Sequence, residues 1–125
     1  FNSLYGAKLE DSIVAKMNPK EYDVKAMSID KYIEKSGARP DFIKIDAENA
    51  EYDILKGMTN TLRNVRPIIT LEVGDVNEGE FKNSGACVHF LLEHNYKVFE
   101  LRDGTLCEHE PNKKYSHTNL LFIPK

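Results

Sequence analysis

Residues 41–57, Asp41-Phe-Ile-Lys-Ile-Asp-Ala-Glu-Asn-Ala-Glu-Tyr-Asp-Ile-Leu-Lys-Gly57, set a short apolar strand directly ahead of an amphipathic helix. Phe42, Ile43 and Ile45 are aromatic or β-branched, and only Lys44 interrupts them, which predicts a short buried strand. Asp46 stands at its carboxyl end. Ala50, Ile54, Leu55, Met58 and Leu62 then recur at helical spacing on one stripe. Glu51 and Asp53 fall in the first turn, where the helix dipole favours negative charge. Arg66-Pro67 closes the connection, and Ile68 to Val73 reads as a second buried strand with Glu72 near its carboxyl end. Strand, helix and strand in this order predict a βαβ unit and a largely parallel sheet.

Moving toward the C-terminus, Gly74 to Gly79 is a polar loop, and Ser84 can cap a helix with Val88, Leu91 and Leu92 on its inner face. Asn95 can end that helix. Tyr96 to Leu101 predicts a third strand. Asp103-Gly104 is a tight-turn signal, so Thr105 to Cys107 is expected to pair back on it. Glu108 to His117 is a polar loop, and Leu120 to Ile123 is a last apolar strand. On the N-terminal side, Tyr22 to Ile29 alternates apolar and polar residues and predicts a half-buried strand. Ser28 or Asp30 can cap a short helix that stops at Gly37. Ser12 to Met17 is a further short strand candidate before the Asn18-Pro19 turn.

The bulk properties fit one soluble α/β domain. Of 125 residues, 41% are hydrophobic and 30% charged, with a formal net charge of −3, which gives no footprint for nucleic acid. No apolar run approaches the roughly 20 residues of a membrane span, and no signal peptide is visible, so a cytoplasmic protein is expected. The chain begins with Phe1 and reads as a processed or truncated product. Cys87 and Cys107 match no metal motif and read as reduced thiols, Cys87 on an apolar helix face. His89 and His94 lie five apart and do not share a helix face as metal ligands would; His109 and His117 fall in the polar loop. No metal set emerges.

In an open parallel sheet, ligands bind beyond the carboxyl ends of the strands. Asp46 and Glu72 fall there, and Glu48, Asn49 and Glu51 follow Asp46 directly. Such an acid can accept a hydrogen bond or a proton from a hydroxyl or amine. Helix capping accounts for Glu48 and Glu51 at least as well as a ligand does. Asp46 is the better candidate because it closes the strand ahead of the cap.

The 41–57 stretch resembles the fourth strand and following helix of FkbM-type methyltransferases. Ala26-Met-Ser-Ile-Asp-Lys-Tyr-Ile33 is similar to the segment before that strand, Arg66-Pro-Ile-Ile-Thr-Leu-Glu-Val73 to the fifth strand, and Asn95-Tyr-Lys-Val-Phe99 with Asn119-Leu-Leu-Phe-Ile-Pro124 to the last two. The resemblance implies the C-terminal half of a class I, Rossmann-like fold, a mixed sheet with helices packed on it. Its last strand would run antiparallel, inserted between the two before it. It also implies transfer of the methyl group of S-adenosylmethionine to a hydroxyl of a small acceptor, a sugar or secondary metabolite. Asp46 would then be the catalytic carboxylate of the cleft, accepting the hydroxyl proton, and a cofactor contact, with Glu48 and Glu72 in support.

Three departures shape further expectations. Asn49 and Asn95 stand where the resembling family favours glycine, so both are expected at positive φ, which asparagine tolerates best among non-glycine residues. No Gly-x-Gly occurs anywhere in the chain, so the turn that holds the cofactor after the first strand of such folds is missing. The chain is therefore expected to be a partial domain over residues 1–125, inactive alone, with the cofactor strands carried elsewhere. The alternative is a non-catalytic binding or assembly module derived from the same fold. Without those strands the Phe42-to-Ile45 strand becomes a sheet edge, through which a homo-oligomer is expected to form.

Overall fold

A computed structural model describes residues 22–75, 84–112, 114–116 and 118–125. Helix α1 spans Ile29–Ser36. It starts where Ser28 accepts a hydrogen bond from the Lys31 amide through its hydroxyl, and it stops at Gly37, whose φ of 69° is the left-handed turn that glycine takes without strain. Strand β1 is Phe42–Ile45, helix α2 is Glu51–Lys56, a π-helical turn covers Thr61–Val65, and β2 is Ile68–Val73. Helix α3 (Ser84–Glu93), β3 (Tyr96–Arg102), β4 (Thr105–Glu108) and β5 (Thr118–Pro124) complete the described elements.

The five strands form one sheet in the order β1-β2-β5-β3-β4. Strands β1 and β2 run parallel, and β5 lies antiparallel between β2 and β3, which is the insertion that the family resemblance implies. Asp103 and Gly104, at φ 48° and 77°, turn β3 back into β4 as the Asp-Gly pair predicts. Counted by pairs the described sheet is more antiparallel than parallel, against the largely parallel sheet expected from helix and strand alternation. The difference arises because both pairings of β5 and the β3–β4 hairpin are antiparallel.

The core lies on one face of this sheet. Ile45, Ile69, Leu71, Val73, Val98, Leu120 and Phe122 pack with Leu55, Met58 and Leu62 from the α2 region and with Cys87, Val88 and Leu91 of α3. The helical stripe predicted from Ala50 to Leu62 is thus realised, but not as one helix. Helix α2 stops after six residues, and the chain then turns at Gly57-Met58 and widens into the π turn. Gly57 allows a close approach: a Cβ there would meet the Ser28 Cβ at 3.2 Å, while its carbonyl accepts the Asp30 amide. Asp30 then holds the two segments together. Its carboxylate accepts from the Asn60 amide, the Thr61 amide and the Thr61 hydroxyl, at 2.7–2.9 Å.

Several expectations are corrected. Tyr22 to Ser28 is not a strand; it is irregular and exposed, and helix α1 already begins at Ile29. A strand needs hydrogen-bonding neighbours, and no described element pairs with this segment. Ser84 is the first helical residue of α3 rather than its cap: the Ser84 amide donates to Asp75 Oδ1, and the Ser84 hydroxyl accepts from the Gly74 amide. His109, read as part of a polar loop, is buried. The Ser12–Met17 strand, most of the Gly74–Gly79 loop, and His117 lie outside the described residues. Both cysteines are free thiols, as read from the sequence, and burial pushes the Cys87 thiol up to about 12.

Candidate functional site

Strand alternation sorts β1 and β2 into two chemically different faces. Residues 43, 45, 69, 71 and 73 turn toward the helices, and residues 44, 46, 70 and 72 turn the other way. The register pairs Lys44 with Thr70 and Ile45 with Leu71, so continuing it by one residue sets Asp46, just past β1, opposite Glu72 at the carboxyl end of the parallel pair. Neighbouring strands lie about 4.8 Å apart. The two sequence-predicted acids are therefore brought to one edge and one face.

Lys44 joins them. Its Nζ lies 2.6 Å from Asp46 Oδ2, on side chains that are 59% and 37% exposed. The Asp46 hydrogen bond and charge, with a further contribution from Glu72, raise the Lys44 pKa above its usual value. Asp46 thus sits beside a cation, with its carboxylate placed to accept hydrogen bonds. Lys44, which the sequence offered only as an interruption of an apolar strand, belongs to the same cluster. Its position two residues before Asp46 is the signal that would have found it.

The chain leaves Asp46 through a tight turn. The Ala50 amide bonds the Ala47 carbonyl at 3.1 Å, and the two residues between them, Glu48 and Asn49, have φ of 50° and 82°. Two consecutive left-handed residues are the signature of a type I′ turn. The expectation for Asn49 holds, and so does that for Asn95, with φ 61° at the end of α3. The positive φ of Glu48 has no counterpart in the sequence reading, because glutamate carries no special tolerance for it. Glu51 closes the turn by accepting the Ala47 amide at 2.9 Å through Oε1. That bond fastens the turn ahead of α2 and is not the helix cap expected of Glu51, since α2 has no side-chain cap hydrogen bond. Glu48 is half-buried within the turn, between Asp46 and the helix.

A second polar group forms at the same carboxyl edge, where β2 ends. The Asp75 carboxylate accepts the Ser84 amide through Oδ1 and the Tyr115 amide through Oδ2, each at 2.8 Å. The Asp75 amide in turn donates to the Tyr115 carbonyl. This clasp pins the segment between β4 and β5 against the start of α3.

With this arrangement in view, comparison with known proteins decides the family. The Methyltransferase FkbM domain family matches residues 3–98. The chain belongs to this family. No curated protein and no solved structure matches the chain. Among the described residues no group of histidine, cysteine and acidic side chains is arranged to hold a metal, and no helix is long and apolar enough to cross a membrane.

As to a methyl-donating cofactor, the described residues fit it only in part. They supply acids and a strained turn at the carboxyl end of β1. They do not supply a cradle of backbone amides, since α2 has only six residues and the sequence contains no Gly-x-Gly turn.

Proposed function

We infer that the chain is the C-terminal part of an S-adenosylmethionine-dependent O-methyltransferase domain whose acceptor is a hydroxylated small molecule, a sugar or a secondary metabolite. The observation that carries this reading is the placement of Asp46 and Glu72 side by side at the carboxyl edge in a chain of the FkbM methyltransferase family. Asp46 is the acid that accepts a hydrogen bond, and then the proton, from the acceptor hydroxyl. Glu72 adds negative potential from the neighbouring strand. Glu48 sits in the turn that shapes the floor, and its left-handed backbone is the kind of local strain that clusters at ligand sites. Cofactor binding falls mainly to a Gly-rich strand and turn carried outside these residues, with Asp46 as the contact from this side. The chain alone is inactive.

The test is a methyl-transfer assay of a protein that carries this chain downstream of a strand and Gly-x-Gly-like turn, against a panel of hydroxylated metabolites. Methyl incorporation that requires Asp46 supports the reading; a folded, cofactor-binding protein with no transfer to any hydroxyl overturns it. The missing Gly-x-Gly turn favours one second reading, a non-catalytic module derived from the same fold. A parent reading frame that lacks any such turn upstream would select it.

Two further parts of the proposal concern context. The free thiols of Cys87 and Cys107 suit a reducing compartment, and the cytoplasm is the proposed location. Among the described strands β1 pairs with β2 alone and presents Phe42 at 55% exposure, so a second copy of the chain is the proposed partner at that edge. Sedimentation in dilute solution tests it, and a monomer at all concentrations refutes it.

A further inference from the structure

The face of β1 and β2 that carries the acids changes character along its length. Phe42 and Ile68 form an exposed apolar pair at the amino end. Lys44 and Thr70 come next on that face, and Asp46 with Glu72 follows at the carboxyl end. Lys44 is the only basic residue of either strand. A strand advances about 6.6 Å over two residues, a span that a lysine side chain covers. The Lys44 Nζ accordingly reaches Asp46 Oδ2 and donates to it at 2.6 Å.

Two carboxylates on neighbouring strands, with backbones about 4.8 Å apart, repel one another. Lys44 offsets that repulsion from the same face. The hydrogen bond and charge of Asp46 raise the Lys44 pKa, and the charge of Glu72 adds to the rise, so Lys44 is an ammonium group at neutral pH. The pair stands in the open, and an open ion pair contributes little to folding. Its effect falls instead on the carboxylate it holds. A carboxylate that takes a proton must be ionised and must point a lone pair at the hydroxyl that gives it. An ammonium group bonded to one carboxylate oxygen favours the ionised form and fixes the plane of the group.

We propose that Lys44 is a positioning residue for methyl transfer: its ammonium group holds the Asp46 carboxylate, beside Glu72, in the orientation that takes the proton of the acceptor hydroxyl. This role rests on the methyl-transfer reading and on Asp46 as the proton acceptor. Lys44 acts through Asp46, so its removal matters only while Asp46 is present. An independent electrostatic role would persist without Asp46.

A double-variant cycle tests this in a protein that carries the whole domain, with S-adenosylmethionine and the best hydroxylated acceptor of the panel. Lys44→Gln is expected to lower kcat by about tenfold or more, to change KM for S-adenosylmethionine by less than about threefold, and to leave folding stability unchanged. Lys44→Arg is expected to restore most of the loss, since it keeps the charge and the donors. In the Asp46→Asn background, Lys44→Gln is expected to cost less than about twofold. A second readout needs neither cofactor nor acceptor. In a nitrogen-15 titration of the lysine ammonium groups of the chain, the Lys44 midpoint is expected to fall in Asp46→Asn and, by less, in Glu72→Gln. Full kcat in a folded Lys44→Gln, an equal loss in the Asp46→Asn background, or an unmoved Lys44 midpoint overturns the positioning role and leaves methyl transfer standing. A wild-type domain that transfers no methyl group overturns both. If Lys44→Gln does not fold, the titration decides alone.

Discussion

The two faces of β1 and β2 share a backbone and little else. On one face Ile45, Ile69, Leu71 and Val73 are at most 3% exposed under α2 and α3. On the other, Lys44, Asp46, Thr70 and Glu72 form a polar row, with Lys44 and Asp46 paired in the open. A period of two residues writes both the core and the candidate site into the same short strands. A slip of one residue would put carboxylates under the helices and leucine at the cleft, so the burial that stabilises the sheet also fixes where the acids point.

The largest expected effect tests the polar face. Asp46→Asn, in a protein that carries the whole domain, should lower the methyl-transfer rate about 10²–10⁴-fold. Its stability should change by no more than about 1 kcal/mol, because the Lys44 pair is solvent-exposed. Single-turnover rates and denaturant unfolding measure the two sides, and an unchanged rate in a folded variant leaves Asp46 as nothing more than a partner for Lys44. The buried face should respond in the opposite sense. Leu71→Ala, at a fully buried position, should cost about 2–5 kcal/mol of unfolding free energy. A loss below 1 kcal/mol would mean that the helices do not depend on that face.

Smaller effects lie away from both faces and calibrate the comparison. Asp30→Ala removes three hydrogen bonds that tie α1 to the Asn60 and Thr61 amides and the Thr61 hydroxyl, and should cost about 1–3 kcal/mol. The pH dependence gives a second check. Burial raises the Asp30 pKa, but the bonds from Thr61 and Asn60 outweigh it and lower the value below 3.8. A carboxylate with a depressed folded pKa contributes its full stability above the unfolded pKa and loses it as pH falls through the folded one. The stability gap between the wild-type chain and Asp30→Ala should therefore be constant near neutrality and shrink below about pH 4. A gap that widens with acid would reverse the assignment. The smallest change is a gain: Asn49→Gly and Asn95→Gly should each raise stability by a few tenths to about 1 kcal/mol, because glycine takes positive φ without strain. Thermal unfolding of each variant measures this, and a loss at either position would point to a side-chain role for that asparagine.

Where sequence reading succeeded, the signal was local and strong. Residues 42–45 and 68–73 are bounded as the apolar runs suggest. The Gly37 stop and the Asp103-Gly104 hairpin follow from backbone chemistry that few other residues allow. The acids at 46 and 72 were legible because Asp46 follows an apolar strand and Glu72 lies near the carboxyl end of another.

The rest needed the tertiary structure, for reasons that no local pattern contains. Tyr22 to Ser28 alternates as a strand does, but a strand exists only where another backbone lies beside it, and here no described element does. The stripe from Ala50 to Leu62 has helical periodicity, yet the approach of Ser28 to Gly57 and the grip of Asp30 on Thr61 divide it into a short helix and a π turn. His109 is a polar residue in a polar stretch, and only the tertiary fold buries it beside Glu100 and Tyr115. The sequence by itself determined which residues prefer to be strands, turns and apolar faces, because those preferences arise within a few bonds. The partners of Asp30, Asp75 and His109, separated along the chain, were decided by packing alone.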